Sequence, residues 1–166
     1  MPESSEIYFA TSNRHKYQEA KFILRGTGIN IRRLPSKGTE VQSDDVAEIS
    51  RIASAEAAGK YKRPLFVEDT SLSVTALGGF PGPFGAYALR TIGLNGLLRL
   101  LGRATVRSAE FASAVAFCDG SGPPVVFIGR LKGNISPEPR GTGGFGFDAI
   151  FVPYGKKARR KAKQKR

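Results

Sequence analysis

The chain has 166 residues, 40% of them apolar, and a formal net charge of +12. This length suits one domain with a sizeable core, and no apolar run is long enough to span a bilayer. The N-terminus, MPESSEIYFA, carries acids where a secretion signal would carry bases. The single cysteine, Cys118, lies in an apolar run and is expected to be buried, so we predict a cytoplasmic protein without a disulfide.

Most of the charge lies in the last eleven residues, KKARRKAKQKR, of which eight are Lys or Arg. The other residues include 18 bases and 14 acids, a net charge of +4. We therefore predict one domain over residues 1–155 and a basic tail over 156–166. A solubilising tail is the favoured interpretation. Contact with the phosphate backbone of nucleic acid is the alternative, whereas no apolar face accompanies the charge to favour a membrane.

Strands and helices are interspersed along the chain. Apolar runs predict the strands, and apolar residues at helical spacing predict the helices. In chain order the sequence predicts a strand at 7–10, a helix at 16–24, a strand at 29–34, a helix at 43–58, a strand at 65–67 that continues extended over 72–76, a helix at 95–101, paired strands at 111–118 and 125–131, and a strand at 150–152. This order predicts an α/β domain with a mixed sheet.

Polar residues and apolar spacing add local detail to the predicted helices. Asp44 and Asp45 are expected in the first turn of the second helix, where acids favour the helix dipole. Asn95 is expected to cap the third helix. The predicted inward faces are, for the first helix, Tyr17, Ala20, Ile23 and Leu24, and, for the second, Val46, Ile49, Ala53 and Ala57.

A polar run, Thr11-Ser12-Asn13, separates the first predicted strand from the first helix. A strand-to-helix turn presents backbone N–H groups and a helix dipole that attract anions. Lys16 adds a positive charge suited to a phosphate group. Simple helix capping is the alternative interpretation, and the run lacks the glycines of a Walker loop. His15, the only histidine, is expected to face solvent.

Two adjacent acids, Glu68 and Asp69, follow the apolar strand at 65–67. Such a pair at a strand end suits a metal-assisted reaction on a phosphate, since Mg²⁺ prefers carboxylate oxygens and a nucleotide supplies further ligands. Glu40 and Glu48 are upstream acids that would add to the ligand set. Surface salt bridges are the alternative, stronger for Glu48 alone than for the pair. The chain has no Cys/His cluster of the kind that binds zinc.

Residues 141–148 read GTGGFGFD. Glycines let the backbone approach a ligand closely. Phe145 and Phe147 are suited to stack on a nucleobase, and Asp148 to contact its edge. An ordinary glycine-rich turn is the alternative interpretation.

Three motifs occur in one order along the chain: TSNRHKYQEAKFIL, VEDTSLSVTALGGFPGPFGAY and GGFGFDAIFVP. Together they resemble the inosine triphosphate pyrophosphatase family over most of the chain. The resemblance implies an elongated mixed sheet with helices in two lobes and a nucleotide cleft between them. It also implies an enzyme, usually a homodimer, that uses Mg²⁺ to hydrolyse deaminated purine nucleoside triphosphates (ITP, dITP, XTP) to the monophosphate and pyrophosphate.

The same resemblance assigns roles to residues. Asp69 is implied as a metal ligand and as the general base for attack of water on the α-phosphorus. Glu40 and Glu68 are implied as further metal ligands, with Glu48 as the alternative to Glu40. The implied substrate-binding residues are Thr11, Ser12, Asn13, Lys16, Thr70 and Ser71 for the phosphates and sugar, and Phe145, Gly146, Phe147 and Asp148 for the purine.

The sequence also departs from the family pattern. No Ser-His-Arg motif, whose His and Arg recognise the six-keto purine in the family, occurs in these residues, and Ala53 stands where bacterial relatives carry a lysine. We therefore expect weaker discrimination against ATP and GTP, or donors borrowed from the tail such as Arg159 and Arg160. The alternative function is a catalytically weakened member that binds nucleotide or nucleic acid through the cleft and the tail. A pyrophosphatase for pyrimidine or modified nucleotides fits the GGFGFD motif less well.

Overall fold

Strands and helices alternate through the computed structural model, which describes residues 6–36, 41–141 and 144–155. Its strands are β1 (Glu6–Ala10), β2 (Asn30–Leu34), β3 (Leu65–Val74), β4 (Pro81–Gly82), β5 (Ser108–Cys118), β6 (Val125–Ile135) and β7 (Phe151–Pro153). Its α-helices are α1 (Arg14–Ile23), α2 (Val46–Tyr61), α3 (Gly85–Thr91) and α4 (Gly93–Leu101). Short 3₁₀ turns cover Thr75–Leu77 and Gly146–Ala149.

The strands of the described chain form one sheet in the order β2-β1-β3-β5-β6-β7, with β4 beside β3. Strand β1 pairs in parallel with both β2 and β3, whereas β3 with β4 and β6 with β7 pair antiparallel. Parallel neighbours need a crossover connection, and α1 and α2 lie in the two connections that lead from β1 to β2 and from β2 to β3. The predicted α/β fold with a mixed sheet is confirmed.

The chain divides into two compact units. Unit 1 contains the described residues up to Asp69 together with Ser113–Gly129, and unit 2 contains Thr70–Ala112 together with the described residues from Arg130 onward. Each unit has its own apolar core. The core of unit 1 consists of Ala10, Ala57, Ala58, Leu65, Val67, Ala116 and Cys118, which confirms that the cysteine is buried. The core of unit 2 includes Leu72, Val74, Leu97, Ile135, Phe147 and Ile150.

Strand β3 continues through Glu68 and Asp69 to Val74, so the prediction that the strand ends before these acids is wrong. The two carboxylates lie inside a strand, where successive side chains point to opposite faces of the sheet. Leu65 and Val67 pack with α2 in the core of unit 1. Asp69 therefore shares their face, and Glu68 lies on the other.

Helix α2 begins at Val46 rather than at residue 43, and Asp45 is its N-cap instead of part of its first turn. The Asp45 side chain accepts a hydrogen bond from Ala47 N at 2.8 Å, which satisfies an N–H group that the helix leaves unpaired. Ile49 and Ala53, predicted to face inward, are only half-buried. The buried residues are Val46, Ser50, Ser54, Ala57 and Ala58, so apolar spacing finds only part of this face, because two of its members are serines.

Other local predictions are corrected at the remaining helices. Asn95 lies inside α4 and does not cap it, since the helix already begins at Gly93. Helix α3 is absent from the sequence prediction because it lies among Gly and Pro residues, which favour turns. Helix α1 has no buried residue, and Ile23 is 73% exposed, so the predicted inward position of Ile23 is wrong. None of the helices in the described ranges is long and apolar enough to cross a membrane.

Candidate active site

The turn between β1 and α1 is built by two polar side chains. Asn13 is the N-cap of α1, and its side-chain oxygen accepts hydrogen bonds from His15 N at 2.9 Å and Lys16 N at 3.3 Å. The Thr11 hydroxyl accepts one from Asn13 N at 3.1 Å. The side-chain oxygen of Asn13 caps the helix. The group of this side chain that can bind an anion is therefore the amide NH₂. Ser12 and His15 are exposed.

Lys16 and Glu68 form an ion pair on one side of β3. Lys16 Nζ lies 2.9 Å from Glu68 Oε2 and donates to the Glu68 backbone oxygen at 3.0 Å. The Ser113 hydroxyl on β5 donates to Glu68 Oε1 at 2.7 Å. The two charged side chains are only 24% and 16% exposed, so solvent screens this pair less than it screens a surface ion pair.

Asp69 faces α2, where it meets Ser50. Ser50 Oγ lies 3.4 Å from Asp69 Oδ2 and 3.1 Å from the backbone oxygen of Ala114. A hydroxyl has one proton to donate, so Ser50 donates to one of these two acceptors at a time. The sequence interpretation missed Ser50. The available signal was its position one helical turn after Val46, on the face that the second helix was predicted to bury.

Burial is the largest influence on the pKa of the Asp69 carboxyl and raises it above the usual value. The positive charge of Lys16 lowers this pKa, the negative charge of Glu68 raises it, and the Ser50 hydrogen bond lowers it. The net effect is a raised pKa, so the carboxylate form of Asp69 is incompletely stabilised. Such a carboxylate is suited to bind a cation or to accept a proton.

The acids of unit 1 are suited to a hard divalent cation. Asp69 supplies carboxylate oxygens, the ligands that Mg²⁺ prefers, and a cation would stabilise its buried charge, whereas both carboxylate oxygens of Glu68 have protein partners. Within the described ranges no group of three or more His, Cys, Asp or Glu could hold a metal, and Glu40 lies outside those ranges. Glu48 accepts a hydrogen bond from the Ser43 hydroxyl at 2.7 Å. It lies two residues before Ser50, about 200° around the helix, and so points away from Asp69.

The remaining predicted residues of β3 belong to unit 2. Thr70 is half-buried, whereas Ser71 is only 7% exposed. Of this pair, Thr70 therefore offers more surface to a substrate.

Residues 144–148 of unit 2 form a loop that is closed by its own acid. Asp148 Oδ2 accepts a hydrogen bond from Phe145 N at 2.9 Å. Gly144 has φ +121°, and a Cβ atom there would lie 2.8 Å from the Cβ of Asp148, so only glycine fits. Phe145 is 49% exposed, whereas Phe147 is 5% exposed and packs in the core of unit 2. Only Phe145 of the two therefore presents an exposed ring.

Comparisons with known proteins add to this geometry. The model of the Ham1 family matches residues 7–165. The chain is 45% identical over 150 residues to the dITP/XTP pyrophosphatase of Methanopyrus kandleri, covering 90% of this chain and 80% of that protein. It is 46% identical over 149 residues to the dITP/XTP pyrophosphatase of Pyrobaculum aerophilum, with 90% and 79% covered. The solved nucleoside-triphosphatase / dITP/XTP pyrophosphatase of Mycobacterium abscessus aligns with a TM-score of 0.74 at 29% identity, over 92% of this chain and 85% of that one.

Proposed function

The chain belongs to the Ham1 family, and from that premise we propose that it hydrolyses dITP, ITP and XTP to the monophosphate and pyrophosphate. The family assignment confirms the resemblance of the three motifs. The observation that supports the chemistry most directly is in unit 1, where two adjacent carboxylates have different partners. Glu68 pairs with Lys16, and Asp69 is half-buried with a raised pKa.

Mg²⁺ is the proposed cofactor, and Asp69 is the described residue best suited to hold it. Its carboxylate oxygens are hard donors, and its charge is incompletely stabilised by the protein alone. Glu40 is the second ligand that the resemblance implies. When bound, the ion would neutralise phosphate charge and polarise the phosphoryl group.

Positive charge from unit 1 is proposed to bind the triphosphate. The N-terminus of α1 offers backbone N–H groups and the positive end of the helix dipole. Asn13 contributes its amide NH₂ group, and Lys16 contributes its ammonium group. Thr11 supports this turn through its hydrogen bond to Asn13 N, and Ser12 is exposed beside it.

Asp69 is proposed to orient a water molecule and to accept its proton as the oxygen attacks the α-phosphorus. The bond from the α-phosphorus to the bridging oxygen then breaks, and pyrophosphate leaves. A carboxylate with a raised pKa is a stronger base than an ordinary one. Positioning and electrostatic stabilisation would supply most of the rate, so no nucleophilic Ser or Cys is required.

The purine is proposed to stack on the exposed ring of Phe145, with Thr70 and Ser71 assigned to the sugar and phosphates. Asp148 and Gly146 shape the loop that carries this ring. Phe147 supports the loop from the core. The homodimer, the basic tail and the cytoplasmic location stay predictions.

A nucleotide panel tests the proposed function. Purified protein is incubated with ITP, dITP, XTP, GTP and ATP, each with Mg²⁺ and with EDTA. The monophosphate is measured by chromatography, and pyrophosphate as orthophosphate released by added inorganic pyrophosphatase. We expect equal amounts of monophosphate and pyrophosphate from ITP, dITP and XTP with Mg²⁺, and none with EDTA.

Each outcome of the panel has a distinct meaning. Orthophosphate released without added pyrophosphatase would place the attack at the γ-phosphorus and contradict the proposal. Binding of ITP without turnover would support the weakened family member instead. Turnover of ATP and GTP within a few-fold of that of ITP would show that base selection is relaxed.

Ser50→Ala is expected to lower kcat for ITP by about 3- to 10-fold, because the variant removes a side chain that orients Asp69. Ser54→Ala is the matched control. Ser54 is as fully buried as Ser50 and lies one turn further along α2, but it donates to Arg51 O of its own helix. Both variants should lose about 1 kcal/mol in the free energy of unfolding. Steady-state kinetics and urea unfolding measure both effects, and equal kcat values for the two variants would contradict the role of Ser50.

A further inference from the structure

We propose that Glu68 is a positioning residue for Lys16, itself held by Ser113, and that only Asp69 of the adjacent acidic pair serves the metal. This inference rests on the proposed function, because it assigns to Lys16 the binding of the triphosphate. It changes the role of Glu68 from a metal ligand, which the resemblance implies, to the group that orients a cation.

Contacts to both carboxylate oxygens of Glu68 support this role. Ser113 donates to Oε1 at 2.7 Å, and Lys16 Nζ lies 2.9 Å from Oε2. Lys16 also donates to the Glu68 backbone oxygen at 3.0 Å. An ammonium group has three N–H donors. Two of them are directed to Glu68, which orients the third for an incoming phosphate oxygen.

The direction of the side chains separates Glu68 from Asp69. Asp69 lies on the face of β3 that packs against α2, where Ser50 contacts it. Glu68 lies on the opposite face, where Lys16 of α1 and Ser113 of β5 contact it. Two side chains that leave a strand in opposite directions are poorly placed to share one small cation with strict octahedral geometry.

Positioning matters because a lysine side chain is long and flexible. An ammonium group held before substrate arrives loses less entropy on binding, which favours tight and correctly aligned phosphate binding. The Ser113 hydroxyl acts indirectly. It positions the Glu68 carboxylate, which in turn positions the Lys16 ammonium group.

The experiment is a double-mutant cycle on kcat/KM for Mg²⁺-ITP. Glu68→Gln is expected to lower kcat/KM by about 10-fold and Ser113→Ala by about 3-fold. In a Lys16→Met background, Glu68→Gln and Ser113→Ala should each change kcat/KM by less than about 2-fold, because Lys16, the residue that Glu68 and Ser113 position, is gone. Ser113→Thr keeps a hydroxyl at this position and, unlike Ser113→Ala, should have the kcat/KM of the wild type. The control is Ser108→Ala, which removes an exposed hydroxyl of β5 that donates to Thr75 Oγ1 at 2.9 Å.

Metal binding provides the second measurement. Mn²⁺ binding is followed by electron paramagnetic resonance with the non-hydrolysable analogue inosine 5′-(α,β-imido)triphosphate present. We expect the Mn²⁺ affinity of Glu68→Gln to stay within about 2-fold of wild type, and that of Asp69→Asn to fall by more than about 10-fold. A loss of Mn²⁺ affinity in Glu68→Gln equal to that in Asp69→Asn would make Glu68 a metal ligand and overturn the inference.

The same data separate this inference from the proposed function. If the losses of kcat/KM in Glu68→Gln and Lys16→Met multiply in the double variant, the two residues are not coupled. That result would overturn the inference but not the proposed function. A wild-type protein that does not hydrolyse ITP would overturn the proposed function. The cycle would then be measured as calorimetric affinity for the imido analogue, where the same coupling between Lys16 and Glu68 is expected.

Discussion

Asp69→Asn is expected to lower kcat for ITP by roughly 10³-fold while the protein stays folded. The substitution keeps the size of the side chain but removes the proposed base and metal-binding charge, and loss of a general base typically reduces a rate by about 10²- to 10⁴-fold. Steady-state kinetics at saturating Mg²⁺-ITP measure the loss, and circular dichroism verifies the fold. Activity within a few-fold of wild type would contradict the assigned role.

The same variant should be at least as stable as wild type in metal-free buffer at neutral pH. The pKa of Asp69 is raised in the folded state, mainly by burial. The folded protein therefore holds this proton more tightly than the unfolded chain, and the free energy of unfolding falls as pH rises from the unfolded pKa to the folded pKa. Above that window the full destabilisation is present, and replacing the carboxylate by an amide removes it.

Asp119→Asn is the matched control for the stability effect, with the opposite sign. Asp119 is exposed, and hydrogen bonds from Ser121 lower its pKa. Its carboxylate form is therefore favoured by folding at neutral pH. Asp119→Asn should leave kcat unchanged and should not raise the free energy of unfolding. Urea unfolding at pH 7 with EDTA compares the two variants, and a less stable Asp69→Asn would contradict the explanation from burial.

Lys16→Met is expected to lower kcat/KM for Mg²⁺-ITP by roughly 10²- to 10³-fold, the usual effect of removing one preorganised group that stabilises charge in the transition state. The variant also removes the ion pair between Lys16 and Glu68. Because the pair is partly exposed (24% and 16%), the expected loss of stability is about 1–2 kcal/mol, less than for a fully buried pair. Steady-state kinetics and urea unfolding measure the two effects separately.

Lys21→Met is the matched control for this prediction. Lys21 lies on the same helix, α1, and its side chain is exposed. The substitution should leave both kcat/KM and stability close to wild type. Equal losses in the two variants would show that the total positive charge of α1 matters, and that the contact of Lys16 with Glu68 does not.

Much of the site can be predicted from local sequence. The polar run Thr11-Ser12-Asn13 is predicted to precede the first helix with capping as one interpretation, and Asn13 is its N-cap, because capping depends on side chains within three residues of one another. The first two strands and the first two helices lie within three residues of their predicted bounds, since apolar runs and apolar residues at helical spacing indicate where an element lies. Three motifs in a fixed order were sufficient to identify the family, which the match over residues 7–165 confirms.

Most elements, the family and the chemical types of Lys16, Glu68 and Asp69 thus follow from the sequence, whereas the extent of β3 and the presence of α3 do not. The residues that these side chains contact are known only from the folded chain. Lys16 and Glu68 are 52 positions apart, and Ser113 and Glu68 are 45 apart, so no local periodicity relates them. The folded chain also places Glu68 and Asp69 on opposite faces of a continuous strand and buries Phe147 in the core of unit 2. Such contacts depend on how distant segments pack, which is not encoded in the spacing of neighbouring residues.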